Sequence, residues 1–456
     1  MTSSQIHTFY LVLKDFLSRF MRSPPKPNLA SAQPLPSPPK KDSAYQKVTA
    51  DVHEIVDSNV VYWWQTSGYL LATLLHDAGY PPTSQEHILN FFGRTIAPYL
   101  GSTYNIHSPQ WRSFMTDDHH PIELSWDWHT GQKAPTVRFS IEPVGVHAGT
   151  PLDPSNTRAD TFFRHALTEA LPDIEMDQFR YFDRVLTPHL PRGLMEGHAS
   201  RIFYAFDLTA ESITSKAYFF PGFKAQETGQ TNLQVIADVV TRAPKVSPKQ
   251  LRALQAFEGF TQDPSTPSLE IDMLAIDMDS QPASRLKIYF RSRATSFASV
   301  RQMMTLGLRI NRPEIDRGLD NLRRLWDALL VQKGVPDRQP LPDNDHRTAG
   351  LLYNIELPPN STLPLIKIYI PVRHYASCDE QILSAVHEYM ETRHGNRAPL
   401  NYGYADTMRS LFHHETLQQR GLHTYIACSI QSSGELRVVS YINCQGYKMV
   451  RGYRKM

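Results

Sequence analysis

The sequence Ser284-Arg-Leu-Lys-Ile-Tyr289 alternates polar and apolar residues. A period of two predicts a β-strand, with the arginine, the lysine and the tyrosine on one face and the leucine and isoleucine on the other. The same spacing recurs in Lys216-Ala-Tyr218 and Lys367-Ile-Tyr369. Each of these three segments therefore presents one cationic and aromatic face and one apolar face.

The three trios lie in a repeated pattern of paired strands separated by helices. Strands are predicted at 122–128 and 136–141, 201–208 and 214–220, 270–277 and 285–292, 350–356 and 365–371, and 423–430 and 436–443. Helices are predicted at 60–75, 85–100, 232–242, 313–332 and 380–393. Five antiparallel strand pairs alternating with helices predict an α/β fold whose sheet is not of the parallel, dinucleotide-binding type.

The helices have one apolar face each and can cover one side of this sheet. A half-buried sheet with its polar side in water would explain a single Lys-x-Tyr trio. Three copies at matching places favour a closed sheet, with the helices outside and the lysines and tyrosines facing a polar lumen.

Five cations are expected to converge in this lumen. They are Arg138, Lys216, Arg285, Lys287 and Lys367. Like charges so close together would repel one another unless an anion of high charge sits among them, and a diphosphate fits this requirement. The tyrosines suit an allylic diphosphate, because aromatic faces stabilise a carbocation and exclude water.

The overall composition excludes several other classes of protein. Lys and Arg total 47 and Asp and Glu total 45, so the formal net charge of +2 indicates neither nucleic acid nor an anionic membrane as a partner. The 3 cysteines have no CxxC spacing, which argues against a disulfide framework or a zinc site and indicates a reducing, cytoplasmic location. No segment is apolar for long enough to span a membrane.

Two regions are predicted along the chain. Residues 1–40 form a helix-like segment followed by a proline-rich linker, and residues 41–456 form a single domain.

Several ordered segments resemble the dimethylallyltryptophan synthase family of fungal aromatic prenyltransferases. They are Pro121-Ile-Glu-Leu-Ser125, Thr136-Val-Arg-Phe-Ser-Ile-Glu-Pro-Val144, Lys216-Ala-Tyr218, Ser284-Arg-Leu-Lys-Ile-Tyr289 and Lys367-Ile-Tyr369. The resemblance runs from about Tyr62 to about Tyr441. It implies a ten-stranded antiparallel β-barrel of repeated ααββ-type units, with a solvent-filled lumen ringed by α-helices. It also implies transfer of a dimethylallyl group from its diphosphate to an indole-containing acceptor.

The resemblance assigns expected roles to individual residues. Glu123 would accept a hydrogen bond from the indole N–H and help to remove a proton. The expected diphosphate-binding residues are Arg138, Lys216, Arg285, Lys287 and Lys367. The expected residues that shield the allyl cation are Tyr218, Tyr289, Tyr369, Tyr425 and Tyr441. The expected acceptor-binding residues are Phe114, Met115 and Asp272.

Some positions depart from the family pattern. Lys367 stands where the family often has glutamine, and Phe203 stands where some members have a lysine that could accept a proton. Asp272 aligns with the arginine that holds the carboxylate of free tryptophan in relatives, and a carboxylate there would repel that group. An indole alkaloid is therefore expected as the acceptor rather than free tryptophan. On the last strand Val439 and Tyr441 share a face, and Tyr441 is expected to complete the shield.

The resemblance also implies that no cofactor and no obligatory metal are needed, because side-chain cations replace magnesium. The segments 117–120 and 343–346 contain acidic residues and histidines but are interpreted as solvated loops. The expected partners are dimethylallyl diphosphate and an aromatic small molecule, with no nucleic acid or membrane, and the sequence is compatible with a homodimer.

Two alternatives remain open from the sequence. The same barrel could prenylate a phenolic polyketide or a xanthone, since Glu123 could equally orient a phenol. A non-catalytic carrier could bind an isoprenoid diphosphate without releasing inorganic diphosphate.

Overall fold

Ten antiparallel strands close into one barrel in the computed structural model of the chain. Each strand pairs with its sequence neighbours, and β10 pairs with β1 to complete the ring. The strands are β1 (Ile122–His129), β2 (Thr136–Ile141), β3 (Ile202–Leu208), β4 (Ile213–Phe219), β5 (Leu269–Asp277), β6 (Leu286–Ser292), β7 (Leu351–Leu357), β8 (Leu365–Ile370), β9 (His423–Ile430) and β10 (Leu436–Asn443). The predicted closed antiparallel sheet is confirmed.

The structure describes residues 43–54, 57–103, 108–129, 134–187, 197–279, 284–394 and 403–444. All of them belong to one compact unit, Pro36–Lys448. The predicted N-terminal segment and linker, residues 1–40, lie outside the described residues. Within the part described, no helix combines the length and the apolar character needed to cross a membrane.

Helices surround the barrel. They are α1 (Ala44–His53), α2 (Ser58–Trp63), α3 (Tyr69–Asp77), α4 (Pro82–Phe91), α5 (Thr157–Ala170), α6 (Asp177–Leu186), α7 (Gly222–Thr228), α8 (Asn232–Thr241), α9 (Pro248–Thr261), α10 (Phe297–Met304), α11 (Pro313–Leu330), α12 (Val372–Tyr375), α13 (Asp379–His394), α14 (Tyr404–Leu411) and α15 (His414–Leu417). The two long N-terminal helices predicted from the sequence are present, and each contains a π-helical segment, Trp64–Gly68 and Phe92–Ile96. Several helices, including α5, α6 and α9, were not predicted.

The alternation along each strand produces two separate environments. On β6, Leu286, Ile288 and Phe290 are fully buried, and the ring of Phe290 packs 5.2 Å from that of Phe257 on α9. Lys287 and Tyr289 point the opposite way, into the lumen, where they line the same cavity. The apolar core therefore lies between the barrel and its helices, and the polar chemistry is enclosed by the strands.

Helix α11 packs closely against the barrel at Gly318. A Cβ atom at this position would lie 2.3 Å from Cγ2, 2.6 Å from Cγ1 and 2.8 Å from Cδ1 of Ile430 on β9. Close packing of the helix against Ile430 therefore requires glycine at this position.

Replacement of Gly318 by alanine should lower the free energy of unfolding. Overpacking costs about 1–3 kcal/mol, and the triple overlap with Ile430 places this site near the upper end. The gain in helix propensity, roughly 1 kcal/mol, offsets only part of it. Chemical denaturation measures the change. Gly259→Ala is the matched control, because this helical glycine has nothing within 4 Å of its Cβ position and should be neutral or stabilising. Equal stability of the two variants would contradict the packing argument.

Candidate active site

Two cavities meet inside the barrel. One has a volume of about 490 Å³ and contains all five predicted diphosphate-binding residues, which we call the cation cradle: Arg138, Lys216, Arg285, Lys287 and Lys367. The other, the aromatic pocket, has a volume of about 120 Å³ and is lined by Phe114, Met115, Glu123, Asp272 and Tyr425, among others. Tyr218, Tyr289, Tyr369 and Tyr441 line both cavities and form what we call the tyrosine ring. Every residue predicted for the site therefore lines this lumen.

Carboxylates lie between the cations of the cradle. Lys216 Nζ is 2.5 Å from Asp207 Oδ2, and Arg138 Nε is 2.9 Å from Asp207 Oδ1. Arg285 Nε is 2.6 Å from Asp277 Oδ2. These cations were expected to repel one another strongly in the absence of a bound anion. This expectation was wrong, because neighbouring carboxylates already offset part of their charge.

Cross-strand register brings these charges together. Arg138 on β2 is directly opposite Asp207 on β3, and Lys216 on β4 is opposite Asp277 on β5. Lys287 on β6 is opposite Glu356 on β7, with Nζ 3.8 Å from Oε2. Sequence analysis missed these carboxylates, together with Asp127 and Arg437, whose side chains pair beside Arg138. Each of these residues falls on the same inward-facing side of its strand as the predicted cations, and this alternation could have identified them.

Lys367 differs from the other members of the cradle. Within the part of the chain that the structure describes, no carboxylate oxygen lies within 4 Å of its Nζ atom. The ammonium group lies instead 5.0 Å from the ring centre of Tyr369 and 5.7 Å from that of Tyr441. Burial lowers the pKa of Lys367 to about 7, with the charge of Asp127 opposing this effect. An anion bound in the cradle would favour the protonated form of this lysine.

The tyrosine ring forms a continuous aromatic wall. Its ring centres lie 5.7 Å apart from Tyr218 to Tyr289, 5.8 Å from Tyr289 to Tyr369 and 5.7 Å from Tyr369 to Tyr441. Tyr441 takes the place in the ring that the sequence analysis assigned to it, while Tyr425 lies on the side of the aromatic pocket. Phe203 stacks on Tyr218 with ring centres 4.1 Å apart, so this position extends the wall.

Glu123 is the buried carboxyl group of the aromatic pocket. Its side-chain Oε1 accepts a hydrogen bond from Thr424 Oγ1 at 2.5 Å. Burial raises the pKa of Glu123 to about 7, and the Thr424 hydrogen bond and the charge of Arg373 oppose this rise. Near neutral pH this group can therefore both accept and release a proton.

Phe114 and Met115 are held on a segment that precedes β1. The ring of Phe114 packs 4.8 Å from Phe220 and 5.0 Å from Phe203. Buried Glu142 anchors the segment, because it accepts hydrogen bonds from Trp111 Nε1 at 3.0 Å and Ser113 Oγ at 2.6 Å. The apolar side of the pocket is thus fixed by a buried polar contact.

Three arginines that sequence analysis did not identify also line the aromatic pocket: Arg291, Arg347 and Arg373. Arg291 Nη2 lies 3.8 Å from Asp272 Oδ2, and burial raises the pKa of Asp272 while the charges of Arg291 and Arg347 oppose the rise. The negative charge of Asp272 is therefore offset by the arginine beside it.

One group of described residues could hold a metal ion, namely Asp117, His346 and His374, whose ligand atoms lie within 4.8 Å of one another. The hydroxyl of Thr348 occupies the space between them, 2.8 Å from His346 Nδ1 and 2.7 Å from His374 Nε2. Thr348 lines the aromatic pocket, so the group belongs to that end of the lumen. The interpretation of segment 117–120 as a solvated loop was wrong for His120, which is fully buried, but not for Asp117, which is exposed.

Comparisons with known proteins identify relatives of this chain. The family described as tryptophan dimethylallyltransferase matches residues 59–405. The chain is 35% identical over 404 residues to the 4-O-dimethylallyl-L-tyrosine synthase of Claviceps purpurea, covering 86% of this chain and 90% of the relative. It is 32% identical over 412 residues to the 7-dimethylallyltryptophan synthase of Aspergillus fumigatus, covering 86% of each.

Solved structures share the fold. AnaPT from Neosartorya fischeri superimposes with a TM-score of 0.75 at 23% identity, over 89% of this chain and 98% of that one. NotF in complex with brevianamide F and DMSPP gives a TM-score of 0.73 at 23% identity, over 88% and 98% respectively.

Proposed function

Because the chain belongs to the tryptophan dimethylallyltransferase family of aromatic prenyltransferases, we propose that it transfers a dimethylallyl group from dimethylallyl diphosphate to an aromatic acceptor inside the barrel. The observation that carries the proposal is the tyrosine ring, which lines both the cation cradle and the aromatic pocket. A donor and an acceptor bound on its two sides would meet between aromatic faces.

The cation cradle would bind the diphosphate and stabilise it as it leaves. The allylic C–O bond breaks, the electron pair departs with the diphosphate, and the charge on the leaving group increases. Lys216, Lys287 and Lys367 would offset that charge with their positively charged ammonium groups. These side chains would supply what a magnesium ion supplies in other prenyltransferases, so we expect turnover in the presence of a chelator.

The tyrosine ring would stabilise the allyl cation through its aromatic faces and keep water away from it. The acceptor ring, or an oxygen on it, then forms the new bond to the allyl carbon. The proton displaced from the acceptor passes to a base, and Glu123, with a pKa of about 7, is suited to accept it.

Two classes of compound are candidates for the aromatic acceptor. An indole alkaloid rather than free tryptophan is the candidate from sequence, because Asp272 replaces the arginine that would hold the carboxylate of tryptophan. A phenolic amino acid is the second candidate, supported by the 35% identity to a relative named 4-O-dimethylallyl-L-tyrosine synthase. In both cases Glu123 would orient an acidic N–H or O–H.

An acceptor panel tests the proposal. The purified protein is incubated with dimethylallyl diphosphate and with L-tyrosine, L-tryptophan, a tricyclic indole alkaloid or a hydroxyxanthone, and both inorganic diphosphate and prenylated product are measured. We expect acceptor-dependent release of diphosphate and one product per diphosphate. Binding of the donor without any acceptor-dependent release would contradict transferase activity and favour the carrier alternative.

The pH dependence of turnover tests the role of Glu123. Only the ionised carboxylate can accept a proton, so kcat/KM should rise with pH through about 7 in the wild type. Glu123→Gln should remove this rise and lower kcat by roughly 10²- to 10⁴-fold, the usual contribution of a positioned base. Glu86→Gln, which changes a surface pair with Lys47, is the matched control. An unchanged pH profile in Glu123→Gln would exclude this role.

A further inference from the structure

The pairing of β9 with β10 is interrupted beside the aromatic pocket. Strand β9 advances from residue 426 to residue 423 while β10 advances only from 440 to 442, so Thr424 and Tyr425 together lie opposite Tyr441. An extra residue on one strand is a β-bulge, which can turn a side chain towards the other face of a sheet. In a regular strand Thr424 would share the face of Ile426 and Cys428, which line neither cavity of the lumen.

The hydroxyl of Thr424 reaches the carboxyl group of Glu123. Thr424 is only 1% exposed, and its Oγ1 donates to Glu123 Oε1 at 2.5 Å even though β10 separates their two strands. Among the described residues, the other carboxyl oxygen of Glu123, Oε2, accepts no hydrogen bond, and Glu123 lines the aromatic pocket. The barrel wall therefore holds one carboxyl oxygen and leaves the other for the acceptor.

The same hydrogen bond affects the ionisation of Glu123. Burial raises the pKa of Glu123, and the Thr424 hydrogen bond is the strongest influence that opposes this rise. A hydrogen bond donated to a carboxylate favours the charged form. Among the described residues, the other ionisable side chains that interact electrostatically with Glu123 are Arg373, Asp117, Tyr441 and Cys444. They are unchanged in variants of Thr424, so a shift in such a variant reports the loss of the hydroxyl.

We propose that Thr424 is the positioning residue of the base Glu123: its hydroxyl fixes one carboxyl oxygen, turns the other towards the acceptor and favours the carboxylate form that accepts the proton. The inference rests on the proposed function and adds to it the residue through which the barrel orients the base. Thr424 acts through Glu123 alone, and the β-bulge of β9 is the device that brings it there.

The alternative is that Thr424 only fills space in the barrel wall. Valine keeps the shape of threonine and lacks the hydroxyl, whereas serine keeps the hydroxyl and lacks the methyl group. A space-filling role therefore predicts that Thr424→Val is neutral and Thr424→Ser harmful. A positioning role predicts the opposite order.

The pH dependence of kcat/KM in Thr424→Val tests the proposal. Without the hydroxyl the pKa of Glu123 should rise, so the increase of kcat/KM with pH should move to higher pH by roughly one to two units, with a loss of roughly 5- to 50-fold at pH 7. KM for dimethylallyl diphosphate should stay unchanged, because the cation cradle is intact. Thr424→Ala removes the same hydroxyl with a smaller side chain and should give the same shift, so the test does not depend on how well valine packs.

Two further variants provide the controls. Thr424→Ser should keep the pH profile of the wild type. Thr66→Val should do the same, because Thr66 is a buried threonine whose hydroxyl donates to the carbonyl of Tyr62 at 2.9 Å on an outer helix. A wild-type profile in both Thr424→Val and Thr424→Ala, or a loss in Thr424→Ser as large as that in Thr424→Val, would overturn the proposal.

A double-mutant cycle assigns the effect to Glu123. In the Glu123→Gln background no base remains to be positioned, so adding Thr424→Val should lower kcat by no more than about 2-fold. Losses that multiply in the double variant would show that Thr424 acts independently of Glu123 and would overturn the inference. Wild-type protein that turns over no aromatic acceptor would contradict the proposed function and this inference with it, whereas an unshifted profile in active Thr424→Val would contradict the inference alone.

Discussion

Pairing of buried charges across neighbouring strands is the constraint on which the lumen depends. Lysines and arginines are costly to bury, and in this barrel antiparallel register places a carboxylate beside them, as with Arg138 and Asp207. Burial alone would raise the pKa of Asp207, but the charges of Lys216 and Arg138 lower it well below its usual range. Carboxylates therefore offset most of the positive charge of the cradle, and one lysine, Lys367, has no carboxylate within pairing distance among the described residues.

The lumen changes in character along its length. The cation cradle is charged, the tyrosine ring is aromatic, and the aromatic pocket combines apolar walls with Glu123 and three arginines. In the proposed function a diphosphate would bind in the first region and an allyl cation would be stabilised by the second. Family membership and this arrangement both support a reaction in which the leaving group, the cation and the acceptor each occupy a separate part of one enclosed space.

Much of the fold could be predicted because its signals are local. Alternation within Leu286–Ser292 marks a strand and the inward side of Lys287 and Tyr289 without any knowledge of their neighbours. The carboxylate partners could not be assigned in the same way, because the pairing of Lys287 with Glu356 depends on the register between two strands. Arg373 was missed for a related reason: it lies on a short helix after β8, and only the closed barrel brings it to the hydroxyl of Tyr425.

A crystal structure with a dimethylallyl thiolodiphosphate tests the central claim most directly, because the analogue keeps the charge of the donor and resists cleavage. The account predicts that both phosphates contact Lys216, Lys287 and Lys367, with the allyl group among Tyr218, Tyr289, Tyr369 and Tyr441. Diphosphate density at the arginines of the aromatic pocket, or on the outer surface with the cradle empty, would contradict it.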